Sequence, residues 1–181
     1  MKLLHEAVLE RRLVADGAMG TELMAAGLEA GGCGEAWNLS HPDRVLAIHR
    51  RYAEAGADCI ITNTFGGSRI MLARHGHAAE VAAINRAGVR LVREAFAAAG
   101  REGWVLGDLG PLGAILEPWG ELPEAAARAA YEEQAAALVE GGADALILET
   151  QTSLEELGLG IDFFTTGTMR PSLVSTAIPK L

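Results

Sequence analysis

Apolar residues along this chain gather into short unbroken runs, and these alternate with longer stretches in which apolar positions recur every three or four residues. Two of the short runs echo one another. Glu54-Ala-Gly-Ala-Asp-Cys-Ile-Ile-Thr-Asn-Thr64 aligns without a gap with Glu140-Gly-Gly-Ala-Asp-Ala-Leu-Ile-Leu-Glu-Thr150. In each copy a glycine, Gly56 or Gly142, can take the left-handed conformation that closes a helix. Asp58 or Asp144 then leads into an apolar β run that stops at Asn63 or Glu149. Two further runs fit the scheme, residues 12–15 entering Asp16 and residues 104–107 entering Asp108.

The stretches between them read as helices. Val45, Ile48 and Tyr52 recur at helical spacing after Ser40 and Asp43, a pair spaced as a capping box, with Pro42 suited to the first turn. Val81, Ile84, Gly88, Leu91, Val92, Ala95 and Phe96 mark one face of a second helix that stops near Gly100. A third runs from Pro123 to about Glu140, with Ala127, Ala130, Tyr131, Gln134 and Leu138 facing inward.

Strands apolar on both faces that alternate with amphipathic helices imply parallel pairing, because parallel neighbours need a long return connection. The predicted class is therefore α/β. A doubly wound sheet lacks its usual fingerprint here, since neither Gly17-Ala-Met-Gly20 nor the glycines at 107, 110 and 113 form GxGxxG. A partial (β/α)8 barrel explains more, because it brings the carboxyl ends of successive strands to one mouth. Asp16, Asn63, Asp108 and Glu149 all stand at such ends. About four βα units are countable, which places a half-barrel over residues 1–157. Residues 158–181 change texture toward Thr, Ser and Phe. They are expected to be an atypical tail, as from a frameshift or an engineered junction.

Charge narrows the choice of partners. The formal net charge is −9, so no basic face is expected for a nucleic acid. No stretch approaches the length of a membrane span, and a cytoplasmic, unexported protein is expected. The two cysteines, Cys33 and Cys59, have no paired spacing for a disulfide or a zinc knuckle. The five histidines are scattered, and the close pair His75 and His77 reads as solvated. Trp37 and Trp119 are placed near the mouth, as walls of the site or as packing.

Asp16-Gly-Ala-Met-Gly-Thr21, Glu35-Ala-Trp-Asn-Leu-Ser-His-Pro42, residues 55–66, Gly107-Asp-Leu-Gly-Pro111 and Leu148-Glu-Thr150 together resemble consecutive motifs of the homocysteine S-methyltransferase family. That family includes the homocysteine-binding module of cobalamin-dependent methionine synthase. Order and spacing agree from residue 12 to about 157, so the chain is read as the amino-terminal half of that module. One departure is Asp108, where the family usually has a small hydroxyl residue.

The resemblance implies methyl transfer to the thiol of homocysteine, giving methionine. It also implies a zinc ion held by three cysteines on later strands, motifs that neither Cys33 nor Cys59 matches. The source of the methyl group stays open among a folate acting through cobalamin, a methylsulfonium and a betaine. The chain is accordingly expected to be truncated and inactive alone. Its share of the site is the amino-acid end. Asp16 and Glu149 stand where the family places carboxylates near the homocysteine ammonium, which needs anionic acceptors. The backbone N–H groups of Gly17, Ala18, Met19, Gly20 and Thr21 suit the substrate carboxylate, and Asn63 orients loops or substrate. Two other readings stay open: a non-catalytic half-barrel that associates with a second copy through its open sheet edges, and another barrel enzyme such as an aldolase.

Overall fold

The computed structural model describes residues 2–166 and 173–174, with side chains described through residue 161. Four strands, β1 (Cys59–Ile61), β2 (Trp104–Leu109), β3 (Ala145–Leu148) and β4 (Leu173–Val174), lie parallel in sequence order. Ala15 adds a parallel bridge to Cys59 on the outer side of β1, so the first predicted strand is reduced to one paired residue. Each strand therefore lies beside its predecessor, with no reversal of order. A doubly wound sheet would reverse. This sheet is a partial barrel wall, as the alternation of elements predicts.

Helices α1 (Leu4–Glu10), α2 (Gly20–Ala25), α3 (Trp37–Ser40), α4 (Pro42–Ala55), α5 (Arg69–Ala73), α6 (Val81–Ala98), α7 (Glu124–Glu140) and α8 (Leu154–Thr166) complete the described elements, with a 3-10 turn at Ala78–Glu80. The three predicted helices correspond to α4, α6 and α7. They pack side by side, α4 on α6 and α6 on α7, and α8 follows against α7. Gly56 closes α4 at φ 105°, and Gly142 turns the chain after α7 at φ 92°. The predicted capping box is not formed: α4 begins at Pro42 with His41 at its cap, while the Ser40 hydroxyl turns back to Ala36 O at 3.1 Å and to His41 Nδ1 at 2.9 Å. The boundary expected at residue 157 falls within α8. Most of the expected tail, residues 167–172 and 175–181, lies outside the described residues.

Period-two alternation divides the sheet into two faces. Ile60, Val105, Leu109, Leu146 and Leu148 point to the helices and join Val89, Val92, Phe96, Ala135 and Leu138 in the larger core. Cys59, Trp104, Leu106, Ala145 and Ile147 form the other face, and α1 packs Leu4 and Ala7 against it. The Trp104 indole Nε1 donates to Lys2 O at 3.0 Å, which seats α1 at the amino ends of the strands. On β2 and β3 the same alternation carries Asp108 and Glu149 to that inner side.

The internal echo has a structural cause that its pattern alone does not reveal. Asp58 accepts from Val14 N at 2.9 Å and takes both arms of the Arg11 guanidinium at 3.0 and 2.9 Å, while its own N–H donates to Val14 O at 2.7 Å. Asp144 does the same one strand further on. It accepts from Val105 N at 2.7 Å and from Arg93 at 2.7 Å, and its N–H donates to Val105 O at 2.9 Å. Each aspartate ties the start of its strand to the preceding one and fixes the register. The Arg11 guanidinium, with Val14 N–H, holds the Asp58 carboxyl down to about 2.

One core residue is out of character. His49, on α4, is fully buried and neither ring nitrogen has a hydrogen-bond partner among the described residues. Burial depresses its pKa from 6.5 to about 4. Among the described residues no helix is long and apolar enough to cross a membrane.

Two measurements check these points. Asp144→Ala leaves the buried Val105 N–H without its acceptor and takes one of two acceptors from the Arg93 arm, which keeps Gly142 O at 2.8 Å, and urea unfolding should show a loss of about 2 kcal/mol; an unchanged midpoint would refute the clamp. For His49 the unfolded chain binds the proton more readily than the folded one, so its contribution is intact above pH 6.5 and is lost as pH falls toward 4. The loss is about 1 kcal/mol per pH unit. His49→Leu should remove that slope from the difference between urea midpoints at pH 7 and pH 5, and parallel slopes in the two proteins would contradict it.

Candidate functional site

A cavity of about 460 Å³ opens at the carboxyl ends of the strands. Its wall includes Asp16, Gly17, Ala18, Met19 and Gly20 after the first strand segment, Asn63 after β1, Asp108 near the end of β2 and Glu149 immediately after β3. Parallel strands in sequence order all end on one rim, which is why positions so far apart in the chain converge. Thr21, inside α2 and exposed, is not in the wall. Trp37 and Trp119 are not in it either. Trp37 is buried against His41 and Arg44, and Trp119 is 88% exposed.

Asp16 is held by its backbone and its side chain together. Its N–H donates to Cys59 O at 3.0 Å, and its carboxylate oxygens accept from Ile61 N at 3.1 and 3.2 Å. Burial, opposed by the Ile61 N–H and reinforced by the charge of Glu149, pushes its pKa up to about 7. The N–H groups of Gly17, Ala18 and Met19 make no hydrogen bond within the described residues. The turn is braced by Tyr52, whose hydroxyl donates to Ala18 O at 2.8 Å. A Cβ on Gly17 would stand 3.1 Å from that hydroxyl oxygen.

Asn63 faces the cavity but spends its amide N–H groups on structure, donating to Gly34 O at 2.8 Å and to Asn38 Oδ1 at 3.1 Å. Asn38 in turn donates to Asn63 O at 2.8 Å and Ile84 O at 3.2 Å. Behind the rim, Thr62 Oγ1 accepts from Asp108 N at 3.0 Å, Thr64 Oγ1 donates to Asp108 O at 2.9 Å, and Gln134 Nε2 donates to Thr64 O and Asp108 O at 2.7 and 3.0 Å. These buried bonds lock the end of β1 to that of β2. Gly67 must be glycine because a Cβ there would lie 2.6 Å from Asn85 Oδ1 and 2.8 Å from Gln134 Nε2.

Glu35 is a wall residue that sequence reasoning missed. Its carboxylate accepts from Gly66 N at 2.8 Å and from the Cys33 thiol at 3.5 Å. The available signal was its place between a glycine-rich loop and the buried Trp37 and Asn38. Thr150 was missed too. It follows Glu149 with φ 54°, the left-handed region that a β-branched residue rarely enters. Among the described residues the wall thus holds four carboxylates, Asp16, Glu35, Asp108 and Glu149, and no lysine, arginine or histidine.

The zinc that the sequence resemblance implies does not fit these residues. Among the described residues no three His, Cys, Asp or Glu side chains are grouped to hold a metal. Cys33 hydrogen-bonds Glu35, and Cys59 is packed beneath the sheet with Leu4, Ala7 and Trp104. Burial is the main cause that pushes both thiols up to about 11, against the thiolate that a metal needs.

With this wall in view, the comparisons have a physical meaning. The family model described as homocysteine S-methyltransferase matches residues 13–180. The chain belongs to that family. It is 39% identical over 165 residues to the methionine synthase of Mycobacterium tuberculosis (strain ATCC 25618 / H37Rv) and 38% identical to that of Mycobacterium leprae (strain TN), each over 85% of this chain. It spans only 14% and 13% of those proteins. Among solved structures, the oxidized form of the homocysteine methyltransferase MmuM from Escherichia coli superposes with a TM-score of 0.80 at 26% identity, over 94% of this chain and 64% of that one. Its metallated form gives 0.75, also at 26% identity, over 91% and 62%.

These matches correct one expectation. The likeness was placed at residues 12 to about 157 and read as an amino-terminal half; it runs to residue 180 and takes in nearly the whole chain. The physical reason is that α8 and β4 continue the βα alternation, with Leu173 and Val174 in parallel register beside Ile147 and Leu148, although no polar motif marks that unit.

The conformation of Thr150 is testable. Thr150→Gly relieves the left-handed backbone and should raise the unfolding free energy by about 1 kcal/mol in urea titrations. A drop in stability would show that the backbone there is not strained.

Proposed function

We propose that this chain forms the amino-acid end of a homocysteine site, in a protein that transfers a methyl group to the homocysteine thiol and yields methionine. The observation that carries the reading is a cavity whose wall, among the described residues, has four carboxylates and no basic side chain, beside a turn whose N–H groups at residues 17–19 have no partner among those residues. Those two poles match a zwitterion. The ammonium goes to Asp16 and Glu149 through charge-assisted hydrogen bonds. The carboxylate goes to the N–H groups of Gly17, Ala18, Met19 and Gly20, not to Thr21, which lies outside the wall. Asn63 acts by holding the 34–38 loop against the rim.

The chemistry itself forms a sulfur–carbon bond as the donor's bond to the methyl group breaks, with the thiol proton lost. Neither cysteine of this chain serves that step. The reading assigns activation of the sulfur, and a cobalamin- or folate-borne methyl donor, to parts of such a protein other than the residues described. Binding without turnover is the expected behaviour of the chain alone. Its free thiols suit a reducing, cytoplasmic setting.

A second reading, a non-catalytic half-barrel that pairs with another copy, has one observation in its favour: Val14 is 60% exposed beside the single bridge at the sheet edge. A phosphate-binding barrel enzyme such as an aldolase is disfavoured by the acidic wall.

Calorimetric titration of the purified chain with homocysteine and with L-methionine decides among these. Both should bind, and Asp16→Asn should weaken binding by tenfold or more, about 1.5 kcal/mol. An assembly module binds neither amino acid and self-associates instead. Incubation with zinc, homocysteine and methyl donors should give no methionine, and robust turnover with stoichiometric zinc would overturn the division of labour.

A further inference from the structure

Asp108 is the wall residue that the proposed amine site does not use. It is 3% exposed, and its Oδ1 is buried with no hydrogen-bond partner among the described residues. The backbone around it is fully engaged: Thr62 and Thr64 from the end of β1 and Gln134 from α7 bond its N–H and carbonyl, not its carboxyl. The charged groups that face it are Glu149 after β3, Glu35 before α3 and Asp16 after the first strand segment, all acids. Among the described residues no cation is in the wall to compensate. A bare carboxylate buried among three others is costly, and the cheaper state is the neutral acid. Burial first, and then the charge and hydrogen bond of Glu149, hold the Asp108 carboxyl well above the ordinary carboxylate range.

An orphaned acid of this kind has one natural use in a cavity that takes a cation. We propose that Asp108 is a specificity-determining residue of this site, admitting an ammonium in exchange for the proton that its buried carboxyl otherwise holds. When the ammonium enters, the Asp108 O–H bond breaks and the proton passes to bulk water. One positive charge comes in and one leaves. The vacated oxygens of Asp108, beside Glu149, then accept N–H bonds from the ligand. A hydroxyl compound carries no charge to replace the proton and is too weak a base to take it, so the site selects amines. This rests on the proposed amino-acid site.

The test has two arms. Infrared spectroscopy of the chain at pH 8, above the value of about 7 for Asp16, should show a protonated carboxyl band that is absent from Asp108→Asn and from Asp108→Ser. That arm needs no ligand, and a wild-type spectrum without the band overturns the proposal. Calorimetry with L-methionine at pH 8 in two buffers of different ionisation enthalpy should then show about one proton released per ligand bound, and none in either variant. Wild-type affinity should rise about tenfold per pH unit below the Asp108 titration, with a flatter profile in the variants. Binding without proton release sinks the exchange and leaves the amino-acid site standing. The band present with no binding of either amino acid sinks both, because the proton would then answer to no ligand.

Discussion

The register of the parallel sheet is the constraint on which everything else at the rim depends. A slip of one residue between neighbouring strands would turn every side chain to the opposite face. Asp58 and Asp144 prevent it, each by binding the backbone of the strand before its own at both N–H and carbonyl. With the register fixed, alternation carries Asp108 and Glu149 to the inner side while their neighbours Leu109 and Leu148 go to the helices. A carboxylate at the foot of β1 and of β3 thus helps decide where Asn63 and Glu149 at their heads will point.

At the head of the strands, hydrogen bonding and electrostatics work against each other. The Thr62, Thr64 and Gln134 bonds hold two strand ends rigidly. That rigidity keeps four acids facing one cavity although their charges repel. Asp16 and Asp108 respond to burial and to Glu149 with raised pKa values, as expected where a fold holds like charges together. The strained backbone at Thr150 belongs to the same pattern, since it lies immediately after Glu149 in the wall.

The elements that were legible in the sequence are those with many repeats of a local signal. The helices α4, α6 and α7 declared themselves by apolar spacing, and the strands by runs that end on a polar residue. Asp16, Asn63, Asp108 and Glu149 could be placed on one rim because a parallel sheet in sequence order needs no knowledge of contacts. What escaped has several causes, of which a partner distant in sequence is one. Glu35 enters the wall because Gly66 N, 31 residues on, binds its carboxylate. The unit formed by α8 and β4 carries no polar marker, so its change of texture was taken for a change of origin. Ser40 was assigned a cap that it does not form, because its hydroxyl finds Ala36 O one turn back.

The seating of α1 has a consequence for traffic through the cavity. Leu4 and Ala7 cover the amino-terminal end of the inner face, and the Trp104 indole fastens the helix there through Lys2 O. The amino-terminal end of the inner face is therefore covered, while Asp16 and Glu149 stand at the opposite, carboxyl end of the strands. A molecule that these acids hold is met from the carboxyl side of the sheet and not through the end that the helix covers.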